Sequence, residues 1–208
     1  MTSNFLYRFF SSIILAPTLI YVIIHHQNYF YYILILITAL CLFEIIKIRL
    51  QKYQLTLLIL LMSFIYSCME IFNRTDGSFI LIYILTLTWL SDIGGYLFGH
   101  LFKGKKINII SPNKTYVGFL GSILLSQFTI VIFIFVNFEL INNKLFEILF
   151  VMICSIITII GDLFFSFVKR KSGIKDFSNF IPGHGGIFDR IDGMIFLTIF
   201  IFIFLKFI

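Results

Sequence analysis

Between Ser166 and Asp192 the chain reads SFVKRKSGIKDFSNFIPGHGGIFDRID, which gathers the cations Lys169, Arg170, Lys171 and Lys175 and the carboxylates Asp176, Asp189 and Asp192 around Gly183-His184-Gly185-Gly186. Another carboxylate, Asp162, lies just upstream. Basic side chains hold phosphate oxygens directly and carboxylates hold them through a metal ion, so this mixture suits a polyphosphate. On a helix, Asp162, Ser166 and Lys169 fall on one stripe and present a carboxylate, a hydroxyl and an ammonium in succession. Asp189 and Asp192 share a face in the same way, with Arg190 beside them. If the two helices carrying these stripes pack together, Asp162 meets Asp189 and Asp192, and three converging carboxylates call for divalent cations. Taken one at a time, each Asp has ion pairing as its alternative. His184 has no second His or Cys at zinc-ligand spacing. Contact with phosphate or gating within the glycine run therefore competes with simple placement at an interface.

A second cluster lies earlier, in Ser91-Asp92-Ile93-Gly94-Gly95-Tyr96 and in residues 103–115, KGKKINIISPNKT. Asp92 stands near the end of an apolar run, where a carboxylate needs a compensating cation, a metal or a hydrogen-bonding neighbour. Gly94, Gly95 and Gly99 admit either another helix or a ligand close to the backbone. The run Ser111-Pro112-Asn113-Lys114-Thr115 predicts a helix start with Ser111 as N-cap and Pro112 in the first helical position. Its exposed N–H groups, with Lys114, would attract an anion; a capped span carrying one lysine is the plainer alternative.

Membrane-spanning helices must position these residues. The chain has 208 residues, of which 60% are hydrophobic and only 12% charged, with a mean hydropathy of +1.03. Apolar runs long enough to cross a ~30 Å hydrocarbon core occur at roughly 9–25, 29–46, 55–72, 79–98, 116–137, 145–168 and 188–208. The expectation is an all-α polytopic membrane protein of seven spans and a single membrane domain. Residues 1–78 would supply N-terminal helices and 79–208 a catalytic region; the first span is retained and kinked at Pro17.

Of the sixteen Lys and Arg residues, thirteen fall in the segments at one side of this arrangement, leaving Arg74, Lys144 and Lys206 at the other. Basic residues stay in cytoplasmic loops, so the N-terminus and both clusters are expected on the cytoplasmic side of a cell membrane. The net charge of +6 then reflects topology and attraction to anionic lipid headgroups; no basic domain outside the membrane points to nucleic acid. Cys41, Cys68 and Cys154 all lie inside apolar runs, without the pairing that a metal or disulfide role requires.

The signature S-x-V-K-R-x4-K-D-x-S-x2-I-P-x-H-G-G-x2-D-R-x-D from Ser166 to Asp192 resembles that of the phosphatidate cytidylyltransferases, or CDP-diacylglycerol synthases. Gly161-Asp162-Leu163, Ser91-Asp92-x-Gly-Gly-Tyr96 and Ser111-Pro112-x-Lys114-Thr115 are similar to that family's other motifs and appear in the expected order. The resemblance covers roughly 79–208. It implies transfer of a cytidylyl group from CTP to phosphatidic acid in the bacterial inner membrane, with Mg²⁺ as metal, room for a second cation, and a homodimer left open.

By this resemblance Asp162 and Asp189 are primary metal ligands and Asp192 and Asp176 further ligands or orienting groups. Lys169, Arg170 and Lys175 hold the triphosphate or the lipid phosphate. Gly183, Gly185 and Gly186 admit substrate to the backbone, His184 and Arg190 join the catalytic set, Ser166 contacts substrate, and Asp92, Ser111 and Lys114 complete the site. Two positions depart from the family pattern. Phe165 stands where a Glu is usual and Val117 where a Glu or Gln is usual, and the chain is shorter than typical bacterial members, as if lacking one or two N-terminal spans. Restoring Glu at 165 should leave activity unchanged or raise it if the site is merely simplified.

Competing readings have weaker support. A CTP-dependent lipid kinase would not require the full basic and acidic run. A CDP-alcohol phosphotransferase would need more than Asp189-x-x-Asp192-Gly193, and an ion transporter or scaffold would use the same Asp-bearing helices without turning over CTP.

Overall fold

The computed structural model describes residues 20–24, 27–48, 50–102, 104–106, 114–178 and 185–207. Its helices are α1 (Gln27–Ile46), α2 (Gln51–Phe72), α3 (Gly77–Phe102), α4 (Tyr116–Ser126), α5 (Phe128–Phe135), α6 (Lys144–Lys171) and α7 (Phe188–Phe207). Among the described residues there is no strand, and an isolated antiparallel bridge joins Lys106 to Thr115. The chain is an all-α polytopic membrane protein. Among the described residues five segments are long and apolar enough to cross a bilayer: Tyr29–Ile46, Gln51–Phe72, Gly77–Phe102, Tyr116–Phe135 and Lys144–Lys171. α7 has 20 residues and matches the last expected span, but Asp189, Arg190, Asp192 and Lys206 make its ends more polar. Most of the first expected span, including Pro17, lies outside the described residues.

The helix ends follow local chemistry. The side chain of Asn143 accepts from the N–H groups of Leu145 at 3.0 Å and Phe146 at 3.4 Å, relieving two donors that have no helical acceptor. At its other end α6 carries Lys169, Arg170 and Lys171, which complement the negative pole of the helix. α4 and α5 form one span with a tightened turn at Gln127, where Ser126 Oγ donates back to the Ile123 carbonyl at 2.8 Å, a bond known to bend helices. With 28 residues, α6 is roughly 40 Å long, so its basic last turns extend past a ~30 Å hydrocarbon core.

Large apolar side chains are exposed along the outer faces, among them Ile35, Ile59, Leu120 and Phe135, as lipid contact requires. Loops alternate between the two ends of the bundle. Contacts from Glu44 to Ser178 and from Lys114 to Asp162 place three of them together at the basic end. At the other end Arg74 donates to the Leu205 carbonyl at 2.8 Å.

Two close helix crossings set the site. α3 and α4 meet at Gly94 and Gly121, where a Cβ on either would overlap the other's carbonyl oxygen; of the two options the sequence left, the neighbouring helix is the occupant at Gly94, while Gly95 lies beside Ser122 and also lines the cavity. A hydrogen bond fastens this contact, Ser122 Oγ donating to the Ser91 carbonyl at 2.7 Å, while the hydroxyls of Ser91 and Ser155 pair at 3.1 Å and tie α3 to α6. α6 and α7 cross at Gly161 and Gly193. A Cβ on Gly161 would lie 3.0 Å from the Asp192 carbonyl oxygen, and one on Gly193 would lie 2.7 Å from Asp162 Oδ1. Glycine beside each aspartate is thus what lets the two acid-bearing turns come together.

Candidate active site

The crossings enclose a cavity of about 340 Å³ whose lining includes Asp92, Lys114, Asp162, Ser166, Asp189 and Asp192, with Tyr96, Phe119 and Ile159 as an apolar wall. Residues separated by up to a hundred positions converge here from α3, the start of α4, α6 and α7. Lys114 Nζ donates to Asp162 Oδ2 at 3.0 Å. Lys169 Nζ donates to Asp189 Oδ1 at 2.5 Å, and both partners are nearly buried. Asp162 is within electrostatic reach of both Asp92 and Asp192, Arg190 of Asp92, and Lys169 of Asp192. The Asp192 carboxylate also accepts from the Gly193 N–H at 2.9 Å.

The predicted meeting of the α6 and α7 aspartates is therefore present, with its charge partly offset by two lysines. The details differ from a simple ring of metal ligands. Asp189 accepts at Oδ2 from the N–H groups of Phe177 at 3.0 Å and Gly186 at 2.9 Å as well as from Lys169, so it organises the chain around it. Among the described residues no three carboxylates gather around one point at ligand distance.

The fit to a divalent cation rests on the donor set: four Asp residues and Lys114 line one cavity, and Lys169 pairs with one of those carboxylates, Asp189. Hard oxygen donors of this kind suit Mg²⁺. Asp92, Asp162, Asp189 and Asp192 all line the cavity, and Asp162 lies within electrostatic reach of Asp92 and Asp192.

The outer residues are less committed. Arg170 is exposed and donates to the Ile174 carbonyl at 3.4 Å, closing the end of α6. Lys175 and Asp176 are exposed in the turn that follows and do not line the cavity. Gly185 sits at φ 81°, a backbone conformation that glycine adopts freely. Ser111, Gly183 and His184 lie outside the described residues.

The expected helix start at Ser111 and Pro112 falls outside the described residues, and the described helix α4 begins after Thr115. Thr115 is the N-cap of α4, extended at φ −118° and ψ 155°, and its hydroxyl accepts from Gly118 N–H at 3.0 Å. The bridge to Lys106 holds Thr115 in that conformation, and the Tyr116 N–H donates to the Lys105 carbonyl at 3.0 Å. With those N–H groups engaged, the feature aimed at an anion here is Lys114. The sequence reading also missed Tyr96, Phe119 and Ser122 as cavity walls, and Glu44. That last residue had a readable signal, a carboxylate inside an apolar run.

Phe165, at the position expected to carry Glu, is fully buried against Phe164, Phe177, Phe188 and Phe196, with ring centroids 5.6–6.3 Å away. The aromatic ring belongs to a packed cluster behind the cavity.

Fold and site together define a polytopic membrane protein with an acid-and-lysine pocket suited to phosphate groups. The family model described as "Cytidylyltransferase family" matches residues 54–208, and the chain belongs to this family. Similar curated proteins are the phosphatidate cytidylyltransferases of Staphylococcus haemolyticus (strain JCSC1435), 42% identical over 127 residues, and Haemophilus influenzae (strain ATCC 51907 / DSM 11121 / KW20 / Rd), 39% identical over 127 residues. These alignments cover 60% and 57% of this chain and 48% and 42% of the respective relatives. The chain spans about half the length of the curated relatives it matches.

Proposed function

We propose that the chain is a phosphatidate cytidylyltransferase that converts CTP and phosphatidic acid to CDP-diacylglycerol and pyrophosphate. The observation that carries this reading is the cavity itself, where two lysine–aspartate pairs and two further carboxylates stand beside an apolar wall. Both kinds of surface suit a charged headgroup attached to hydrocarbon. In the structure Lys114 and Lys169 neutralise Asp162 and Asp189. A metal-bound triphosphate offers both sets of partners at once, phosphate oxygens for the lysines and a cation for the carboxylates.

The lipid phosphate oxygen is already anionic near neutral pH, so no protein nucleophile or strong base is needed. It attacks the α-phosphorus, a new P–O bond forms, and the bond to the bridging oxygen breaks with its electron pair leaving on pyrophosphate. Lys114 and Lys169 hold phosphate oxygens in line, Ser166 offers a hydroxyl, and Phe119 and Ile159 receive the glycerol end. Bound Mg²⁺, held by Asp162 with Asp92 and Asp192, would neutralise charge building on the transferring and leaving phosphates. Catalysis then comes from alignment and electrostatics.

Purified protein supplied with CTP, phosphatidic acid and Mg²⁺ should release pyrophosphate and CDP-diacylglycerol in equal amounts, and a metal-free control should not. With a polyprenol supplied in place of phosphatidic acid, formation of CDP and the phosphorylated polyprenol would replace this reading with a lipid kinase.

The basic end of the bundle is expected on the cytoplasmic side of the bacterial inner membrane. Cysteines introduced at Lys171 and Asn142 in a cysteine-free background should label from opposite faces, Lys171→Cys from the cytoplasm. Labelling of both from one face would break the span order on which the joined site depends.

A further inference from the structure

Glu44 lies near the end of α1, ahead of the family-matched region, and is 2% exposed. Its Oε1 accepts from Ser178 Oγ at 2.6 Å and the Ile187 N–H at 2.8 Å, and its Oε2 accepts from the Phe188 N–H at 3.0 Å. Beside it, Asp189 Oδ2 accepts from Phe177 and Gly186 N–H groups. Each carboxylate therefore bridges the same two stretches of chain, 177–178 before the glycine-rich run and 186–188 after it. Gly186 makes this possible, because a Cβ there would lie 2.7 and 2.8 Å from the two Glu44 oxygens. The Ile187 and Phe188 N–H groups open α7 without helical acceptors, and a negative charge is favourable at that pole.

We propose that Glu44 is a positioning residue for cytidylyl transfer. By fastening Ser178 to the Ile187 and Phe188 N–H groups that open α7, it sets where Asp189 and Asp192 stand in the cavity. The inference rests on the functional reading above and adds to it a helix outside the recognised motifs. A carboxylate that merely fastened α1 to the bundle would reach one partner stretch; Glu44 joins two, in parallel with a residue of the site.

Glu44→Gln keeps the size but turns an amide N–H₂ toward donors that now meet an oxygen. Misplacement of reacting groups by about 1 Å costs on the order of 100-fold, so kcat should fall roughly 10- to 100-fold while KM for CTP and for phosphatidic acid stays within about 3-fold. Amide exchange should rise at 177–178 and 186–190 and stay unchanged in α1 and α2. Glu44→Asp, which keeps the charge on a shorter arm, should recover part of the lost kcat. Ser178→Ala, which removes one donor, should show the same kcat-selective loss on a smaller scale, and it decides the matter if the Gln variant does not fold. Normal kcat per folded molecule, or exchange that rises in α1 alone, overturns the proposal. If the unmodified protein does not turn over CTP, the functional reading fails, and the exchange comparison still decides whether the clamp exists.

Discussion

Replacing Asp162 by Asn is expected to abolish CTP-dependent formation of CDP-diacylglycerol, a loss of at least ~100-fold, without preventing membrane insertion. The change keeps volume and removes one negative charge at the α6–α7 crossing, where Asp162 pairs with Lys114 at 3.0 Å and faces Asp92 and Asp192. Losing one preorganised electrostatic group at a reacting centre typically lowers turnover by ~100- to 1,000-fold. Asp189→Asn should be as damaging by a different route, since it weakens the Lys169 pair and the two N–H groups held by Asp189. The double variant should be scarcely worse than either single one, because groups that act as a unit are non-additive. Lys106→Gln, outside the cavity, should change turnover little. Near-normal kcat in Asp162→Asn across a range of Mg²⁺ concentrations would remove Asp162 from the metal-binding set and leave that role to Asp92 and Asp192.

The sequence was most legible where physical chemistry is local. Apolar runs at 29–46, 55–72 and 145–168 lie within α1, α2 and α6 because a spanning backbone must satisfy its own hydrogen bonds. Stripe arithmetic put Asp162, Ser166 and Asp189 at one cavity because a helix fixes side-chain direction. Contacts between remote backbones were not legible. Gly94 reads equally well as ligand space or packing until Gly121 is seen against it. The cap of α4 was not legible either, because the bridge from Lys106 extends Thr115 and makes it the N-cap, a tertiary constraint that local pattern does not carry. Glu44 escaped notice because its partners are more than 130 positions away.

The same lesson reverses the expectation for Phe165. Counting residues from Asp162 makes Phe165 a lost carboxylate whose return would be harmless, but the helix turns position 165 away from the cavity and into four aromatic rings. Glu at this fully buried site would have to compete with Asp189 for Lys169, the cation one turn further along α6, and a buried charge left without its partner typically costs about 3–5 kcal/mol. Deleting the ring removes packing as well, a term of roughly 3–5 kcal/mol for large-to-small changes in a core. Either contribution is a large share of the ~5–15 kcal/mol that holds a domain folded. Phe165→Glu should therefore yield little or no folded protein in detergent, with no gain in turnover at limiting Mg²⁺. Phe165→Leu keeps the site apolar, so it should fold, lower the thermal midpoint and retain most of its kcat. Recovery of Phe165→Glu as stable, active protein would mean that α6 can rotate this position to the cavity, and the aromatic cluster of Phe177, Phe188 and Phe196 would then be a consequence of Phe165 rather than the wall against which the site is built.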